Sequence, residues 1–368
     1  MMSSIKEHRF NLCFVLAACC LFFFGCRSSE NEADESDEPE EVLQLLDVEY
    51  ESFQKIVGWL DRETLLVHKG DHQSHDLSTH NLFTGESNLI YEDQSYLLSV
   101  EISHNNQQIL FQEVSDEGVF LNIIDLDGEI SHTLSINYSG YVTLDWNSVN
   151  PELIFLSHYD YNVEEETESI LVQIWDLSDN SLKQRPIASL YPHWYTSNVY
   201  VYVDELEGRH LYVGDIREEN TDIIINRDVR DFFLHDDTFI GVVPSDINEN
   251  LVYLFHEYPF LVGDSVITIP KVSMNNEPMK PHMTQANRNG TILGVIAEES
   301  VALEEELGSY SLQQLNFSDE STEDIVELPY DAPVSLSPDE RHVLFGWRYE
   351  YIIDLRSGDM QSLINGPS

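Results

Sequence analysis

Short apolar runs separated by tight polar turns recur along almost the whole chain. In the clearest copy, near the C-terminus, the turn Ser337-Pro338-Asp339 precedes an apolar run at His342–Phe345, and a second run covers Tyr351–Leu355. The runs are rich in β-branched and aromatic residues, and Pro-Asp and Ser-Gly dipeptides are typical of turns. The pattern therefore predicts antiparallel strands joined by short hairpins, with almost no helix.

The same pattern recurs upstream without gaps. Ile102–Phe111 aligns position by position with Leu336–Phe345, and the continuation Ile123–Glu129 is similar to Ile352–Leu355 and Gly358-Asp359. Weaker copies begin near Val57, Leu144, His193, Ile240 and Met283. The turns recur at roughly the 40–45-residue spacing of four-stranded propeller blades, with longer loops lengthening some repeats. We count seven repeats, or six if the first supplies only a partner strand to the last.

Each repeat predicts one four-stranded antiparallel sheet whose apolar faces cannot be buried alone. Neighbouring sheets must therefore stack, and closing them into a ring leaves only short protected edges. The predicted fold is all-β, with a single β-propeller domain over residues 42–368. The alternative is an arrangement of unrelated β-sandwiches, for which repeats that align without gaps are not expected.

The N-terminus predicts a lipoprotein signal peptide over residues 1–25. Basic residues precede the apolar run Leu12–Phe24, which is shorter than the roughly 20 residues of a spanning helix. The run ends at Gly25-Cys26, which resembles the lipobox of bacterial lipoproteins. A second candidate, Leu16–Cys19, would leave apolar residues at the mature N-terminus. We therefore predict lipidation at Cys26, since two acyl chains suffice for stable membrane anchoring.

Residues 26–41 predict a disordered acidic tether, because like charges extend a segment that has almost no apolar residue to bury. All four cysteines lie at or before Cys26. A mature protein starting there has no second thiol, so the fold has no internal disulfide and depends on packing alone.

The repeats are similar to the Ser-Pro-Asp-Gly and Asp-Leu-x-Thr-Gly repeats of TolB-like and WD40-like propellers. The closest matches are Ser337-Pro338-Asp339, Trp175-Asp176-Leu177 and Asp354-Leu355 with Gly358. Together with the lipobox and the acidic tether, they resemble the YqgU-like β-propeller lipoproteins of Gram-positive bacteria. The resemblance implies a propeller, usually described with six blades, on the outer face of the cytoplasmic membrane. It implies no activity and no site residues.

The charge of the chain is strongly one-sided. Eighteen basic residues stand against 67 acidic ones, which gives a net charge of −49 and a pI near 4.2. Nucleic-acid binding needs clustered Lys and Arg, so a nucleic-acid partner is excluded. The acidic surface favours solubility in a salty or alkaline exterior. The acidic loops are typical of solvated faces, with Ca²⁺ binding as the alternative.

One cluster of residues has the composition of a metal site. Four histidines, His68, His72, His75 and His80, lie within one predicted hairpin. Neutral imidazoles suit Zn²⁺ or a similar metal, although no known metal-binding spacing accompanies them. The alternative is a polar loop that happens to be rich in histidine. No other residue set indicates a cofactor, so none is predicted.

Aromatic residues give a second set of candidates, for a carbohydrate or peptide site at the mouth of the propeller. They are Trp59, Trp146, Trp194, Trp347, Tyr191 and Tyr195. Most lie inside predicted strands, which favours a place in the core between blades. Neither a nucleophile elbow nor a phosphate-binding loop is present in the sequence.

These observations favour a lipid-anchored binding or scaffold module for an envelope protein, a peptide or a glycan, with no catalysis assigned. Two alternatives remain. One is an enzyme that acts on a carbohydrate through the central channel. The other is a metal-binding lipoprotein that uses the loop from His68 to His80.

Overall fold

The fold consists of strands throughout the part of the chain that the structure describes. In this computed structural model the described residues are 42–72, 74–162, 167–206, 208–218, 222–236, 238–257, 265–286 and 290–366. They form 31 strands and no α-helix, so none of their elements is a helix long enough to cross a membrane. The predicted signal peptide, Cys26 and the predicted tether lie outside the described residues. A compact unit spans Leu43–Ser368.

The strands follow one another in groups of four through most of the chain. The first group is β1 (Phe53–Trp59), β2 (Thr64–Gly70), β3 (His75–Asn81) and β4 (Ser87–Asp93). The second is β5 (Tyr96–Ile102), β6 (Gln108–Ser115), β7 (Gly118–Asp125) and β8 (Ile130–Ile136). The third is β9 (Thr143–Trp146), β10 (Leu153–Asn162), β11 (Thr167–Asp176) and β12 (Ser181–Arg185). The fourth is β13 (His193–Trp194), β14 (Val199–Val203), β15 (Leu211–Asp215) and β16 (Ile223–Asn226).

The C-terminal half continues in the same way, with one interruption. The fifth group is β17 (Asp231–His235), β18 (Thr238–Pro244), β19 (Leu251–Glu257) and β20 (Val266–Pro270). The next strands are β21 (Val272–Met274), β22 (Glu277–Pro278), β23 (Met283–Gln285), β24 (Ile292–Ala297), β25 (Val301–Ala302), β26 (Tyr310–Asn316) and β27 (Ser321–Leu328). The last group is β28 (Val334–Leu336), β29 (His342–Phe345), β30 (Tyr351–Asp354) and β31 (Met360–Ser362).

These strands build seven four-stranded antiparallel sheets, here called blades 1 to 7 in chain order. In each blade the strands pair in sequence order, and β23, β24, β26 and β27 form blade 6. The remaining strands form a small sheet in which β21 pairs antiparallel with β22 and parallel with β25. The seven repeats counted in the sequence thus correspond to seven sheets.

The turns explain why these residues form hairpins. Ser337 Oγ accepts a hydrogen bond from the His342 amide at 3.0 Å, and Ser103 Oγ accepts one from the Gln108 amide at 2.9 Å. The aligned residues Glu340 and Asn106 both have positive φ, at 63° and 56°. A serine that bonds the backbone a few residues on stabilises a tight turn. The alignment of the second and seventh repeats therefore reflects one shared turn geometry.

Hydrophobic clusters between neighbouring blades close the ring. Among the described residues there are seven such clusters, and each joins one blade to the next. The cluster that joins blade 7 to blade 1 contains Phe53, Ile56 and Leu344. There the Ile56 amide donates to the Arg348 carbonyl at 2.9 Å, and a buried leucine or isoleucine contributes about 1.5–3 kcal/mol. The all-β propeller predicted from the sequence is confirmed.

The first strand of each blade lies nearest the centre of the ring. β1 neighbours β5, β5 neighbours β9, and β23 neighbours β28 across blade boundaries. One face of the ring therefore carries the connections from each blade to the next, together with the loops between second and third strands. We call it the crossover face. The opposite face carries the tight turns and is called the turn face.

Candidate functional site

Exposed aromatic side chains gather on the crossover face. Among the described residues seven Tyr and Trp side chains are exposed, and each lies at or next to a strand end on this face. They are Tyr50, Tyr96, Tyr141, Tyr159, Tyr161, Tyr191 and Trp347. The turn face exposes aliphatic residues such as Val149 and Ile130 instead. Rings that remain exposed on one face are typical of a binding surface.

A cleft of about 850 Å³ lies between blades 1 and 2 on this face. Tyr96 and Tyr141 line it together with Lys55, His68 and His75. Its volume falls within the roughly 300–1,000 Å³ of small-ligand sites. The cleft therefore offers two exposed rings above a floor of polar, partly buried groups.

The two histidines of the cleft form a neutral pair. His68 Nε2 lies 2.9 Å from His75 Nδ1, and the Leu97 amide donates to the same Nδ1 at 3.4 Å. This Nδ1 must therefore accept, so His68 Nε2 carries the proton. Burial lowers the pKa of His68 to about 3 and also lowers the pKa of His75. Both rings are thus neutral at ordinary pH and present fixed hydrogen-bonding groups.

Three of the four histidines for which a metal site is predicted line this cleft: His68 and His75, which are in contact, and His72. His80 faces away from His68 and His75, with Nδ1 3.1 Å from Ser87 Oγ and Nε2 3.2 Å from the Gln44 carbonyl. An offset of five residues along β3 places His75 and His80 on opposite faces. In the described ranges no three His, Cys, Asp or Glu side chains are placed to hold a metal. Metal binding by this loop stays a prediction.

Ionisable groups cluster where the first strands of blades 1 to 3 meet. Lys55 Nζ donates to the Val100 carbonyl at 3.4 Å. Burial lowers the pKa of Lys55, an effect that the charge of Glu101 partly offsets. Burial, with repulsion from Asp145, raises the pKa of Glu101 to about 8. The pKa of Glu101 therefore lies close to neutrality, which is the range that acid–base chemistry uses.

Three further contacts between acidic and basic side chains link consecutive blades around the ring. His193 Nδ1 lies 2.9 Å from Asp145 Oδ1, which joins blades 3 and 4. The other two connect Asp231 with Lys280 at 3.6 Å and His282 with Asp331 at 3.9 Å. Burial lowers the pKa of His282 to about 4 and raises the pKa of Asp331 to about 6.

Sequence reasoning missed these inner charged residues. The signal was present, because Lys55, Glu101, Asp145 and Asp231 recur in or at the start of the first strand of their repeats. A charged residue in the first strand of repeat after repeat does not serve a hydrophobic core. A comparison of the first strands of the repeats would have located these charged residues, although it would not have found which of them pair.

The aromatic candidates from the sequence divide into two groups. Trp59 and Trp194 are buried and pack between blades, as favoured for most of the set. Trp146 packs against the cluster between blades 2 and 3 while partly buried. Trp347 and Tyr191 are exposed at 66% and 55% and belong to the crossover face.

The fold defines a closed β-propeller with an aromatic crossover face. Residues 81–346 match the YqgU-like 6-bladed β-propeller domain. The chain therefore belongs to this family. The match contains blades 2 to 6 and parts of blades 1 and 7. The family is described with six blades, whereas the described residues of this chain form seven four-stranded sheets.

Two relatives resemble the chain over most of its length. The uncharacterized lipoprotein YqgU of Bacillus subtilis (strain 168) is 22% identical over 96% of this chain and 97% of its own. An uncharacterized protein of Listeria monocytogenes EGD-e has a solved structure with a TM-score of 0.78 at 20% identity, covering 89% of this chain and 98% of that one.

A more distant structure shares the fold alone. An oligogalacturonate lyase in complex with manganese has a TM-score of 0.58 at 12% identity, and the similarity covers 80% of this chain and 85% of that one. The similarity supports the propeller architecture and does not extend to the chemistry.

Proposed function

We propose that this protein is a lipid-anchored extracytoplasmic binding module whose crossover face holds a glycan or peptide of the cell envelope. The observation that carries the proposal is the restriction of the seven exposed aromatic side chains to this face. A tyrosine or tryptophan ring stacks on the apolar side of a sugar or peptide, while its polar tip keeps a hydrogen bond.

The cleft between blades 1 and 2 is the proposed centre of binding. The exposed rings of Tyr96 and Tyr141 border it, and the neutral pair His68–His75 and Lys55 offer both donors and acceptors. Because these polar groups are held by blade strands, they are oriented before a ligand arrives, which lowers the entropic cost of binding.

A direct test measures the affinity of the protein for purified cell-wall glycans and wall peptides by isothermal titration calorimetry. The double variant Tyr96→Ala/Tyr141→Ala should bind at least about tenfold more weakly, since each buried aromatic contact contributes of the order of 1 kcal/mol. Val149→Ala is the control, because Val149 is 62% exposed on the turn face. Equal affinities of the two variants would contradict the proposal.

The proposed location of the protein is the outer face of the cytoplasmic membrane of a Gram-positive bacterium. It is supported by the lipobox-like Gly25-Cys26 and by the name of the Bacillus relative, which is a lipoprotein. A 16-residue tether over 26–41 reaches at most about 50 Å when extended, which is enough to place the propeller beyond the lipid headgroups.

Metabolic labelling with a fatty-acid analogue tests the anchor. Cys26→Ala should abolish the label, and Cys19→Ala should retain it. A Cys26→Ala protein that stays labelled would show that the alternative cleavage site is used.

A carbohydrate-acting enzyme is the second candidate, because Lys55 and Glu101 have pKa values shifted toward each other. Chromatography of acidic and neutral glycans incubated with the protein should then reveal new products. Glu101→Gln should abolish them while glycan binding persists. If no glycan that binds yields a product, the enzyme candidate is contradicted and the binding module remains.

A further inference from the structure

A second cavity on the crossover face collects positive charge in a strongly negative protein. It has a volume of about 420 Å³ and lies where the loops of blade 4 meet the first strand of blade 5. Arg209, Arg230 and Lys280 all line it, in a chain with 18 basic and 67 acidic residues. Such a concentration is not expected of a surface whose charge serves solubility alone.

Backbone carbonyls hold the two guanidinium groups in place. Arg230 Nη1 donates to the carbonyls of Gly208 and Arg209 at 2.9 and 3.3 Å, and Arg209 Nη2 donates to the Arg230 carbonyl at 3.4 Å. These contacts fix the positions of two like charges without neutralising them. Arg209 also forms an ion pair with Glu277, whose Oε2 lies 3.8 Å from the Arg209 Nε. This Nε is buried and makes no hydrogen bond.

The two carboxylates in the cavity wall are already engaged by protein donors. Glu205 Oε1 accepts from Ser189 Oγ at 2.9 Å and from the Leu190 amide at 2.7 Å. Asp231 accepts from the amides of Phe232 and Lys280, at 2.8 and 3.3 Å. Their charges are therefore partly balanced by fixed dipoles, whereas the cations have donors left for a ligand.

Lys280 completes the cationic side. Its Nζ donates to the Phe232 carbonyl at 3.0 Å and lies 3.6 Å from Asp231 Oδ1, so one ammonium proton remains for an incoming anion. The exposed ring of Tyr191 lines the same cavity. The planar guanidinium group can donate two hydrogen bonds to a carboxylate or phosphate. A tyrosine ring can stack on the sugar that bears this anionic group.

We propose that this cavity binds the anionic group, a carboxylate or a phosphate, of an envelope saccharide. Arg209, Arg230 and Lys280 contact the anion, and Tyr191 stacks on the sugar ring beside it. The inference rests on the proposed function and gives the ligand class: a saccharide with isolated anionic groups. The net charge of −49 disfavours a densely charged polyanion, although salt screens that repulsion beyond about 8 Å.

Titration calorimetry of the full-length mature protein in detergent tests this proposal. The probes are a glucuronic-acid disaccharide, its neutral glucose counterpart, glucose 1-phosphate and inorganic phosphate. At least one anionic sugar should bind about tenfold or more tightly than the neutral one. The double variant Arg209→Gln/Lys280→Gln should remove that preference, since each charged hydrogen bond is worth roughly a tenfold change in affinity.

The matched control is Lys183→Gln/Arg217→Gln. It removes the same two charge types from exposed pairs with Asp176 and Asp215, away from the cavity. The control should retain the preference for the anionic sugar. Lys280→Gln alone leaves the two arginines in place and serves as a second variant if the double variant melts early.

The outcomes separate this inference from the proposed function. If the control variant also loses the preference for the anionic sugar, the cationic cavity is not the site of anion binding. Equal affinity for neutral and anionic sugars, weakened by Tyr96→Ala/Tyr141→Ala, would overturn this inference and leave the proposed function intact. Phosphate that competes with glucose 1-phosphate supports a phosphate source, whereas preference for the uronic acid supports a carboxylate source.

Discussion

At the scale of single residues, the main feature is a carboxyl group whose pKa lies well above its usual range. Glu101 lies where the first strands meet, and its pKa of about 8 arises mainly from burial, with repulsion from Asp145 added. Attraction to Lys55 is the smaller, opposing effect. Its ionised form is therefore less stable in the folded protein than in the unfolded chain.

Glu101→Gln should change the pH dependence of stability. Between about pH 4.5 and 8 the folded protein keeps a proton that the unfolded chain releases, so stability falls as pH rises, with a slope of at most about 1.4 kcal/mol per pH unit. The variant lacks this contribution and should be more stable than the native protein at pH 8.5 and similar at pH 4.5. Urea unfolding at a series of pH values measures the free energy of unfolding of both proteins.

Glu117→Gln is the control for that experiment, because Glu117 is an exposed glutamate in the same blade. It should follow the native curve at every pH. A Glu101→Gln protein that also follows the native curve would show that Glu101 is ionised in the folded state at neutral pH.

At the scale of elements, the turn between third and fourth strands shows how a repeat in sequence becomes a repeat in structure. Asp125 Oδ1 accepts from the Asp127 and Glu129 amides, and Asp354 Oδ1 accepts from the Arg356 and Ser357 amides. Gly128 and Gly358 complete these turns with φ values of 83° and 74°. Glycine reaches this left-handed conformation without steric cost.

Gly128→Ala should destabilise the protein by at least about 2 kcal/mol. An L-residue at this φ costs about 1–2 kcal/mol, and the added Cβ would lie 2.3 Å from the Ile90 carbonyl oxygen. Gly366→Ala is the matched control, since nothing lies within 4 Å of its Cβ position. Chemical denaturation compares the two, and equal midpoints would contradict this account of the turn.

At the scale of the whole molecule, stability depends on closing the ring. Blade 7 packs against blade 6 on one side, through residues such as Val343 and Phe345, and against blade 1 on the other, through Leu344 and Ile352. Alternate residues of β29 thus serve two different interfaces, as expected of a strand whose side chains point alternately to opposite faces.

Truncation after Asp331 should unfold the whole domain rather than remove one blade. It would expose two hydrophobic clusters, and each lost leucine or isoleucine contact costs about 1.5–3 kcal/mol against a total stability of only about 5–15 kcal/mol. Circular dichroism and calorimetry should show no cooperative melt. Removal of residues 365–368 alone is the control and should leave the melt unchanged. A cooperative melt after the larger truncation would contradict closure as the source of stability.

The sequence alone was enough to predict the strands, their hairpin turns and the propeller. Apolar alternation and turn residues such as Ser337 and Gly358 act over a few positions, so their structural meaning can be found locally. The sequence also predicted part of the division of the aromatic residues, since tryptophans inside strands, such as Trp59, are buried.

The candidate sites were decided only by the tertiary structure. His75 and His80 are close in sequence, but the alternation of a strand separates them, whereas His68 reaches His75 from a neighbouring strand. Arg209, Arg230 and Lys280 are spread over three segments and meet only because consecutive blades converge at the centre of the ring. Local pattern thus determined the repeats and the fold, while the ring closure brought distant residues together, because a binding site depends on distances that no local pattern contains.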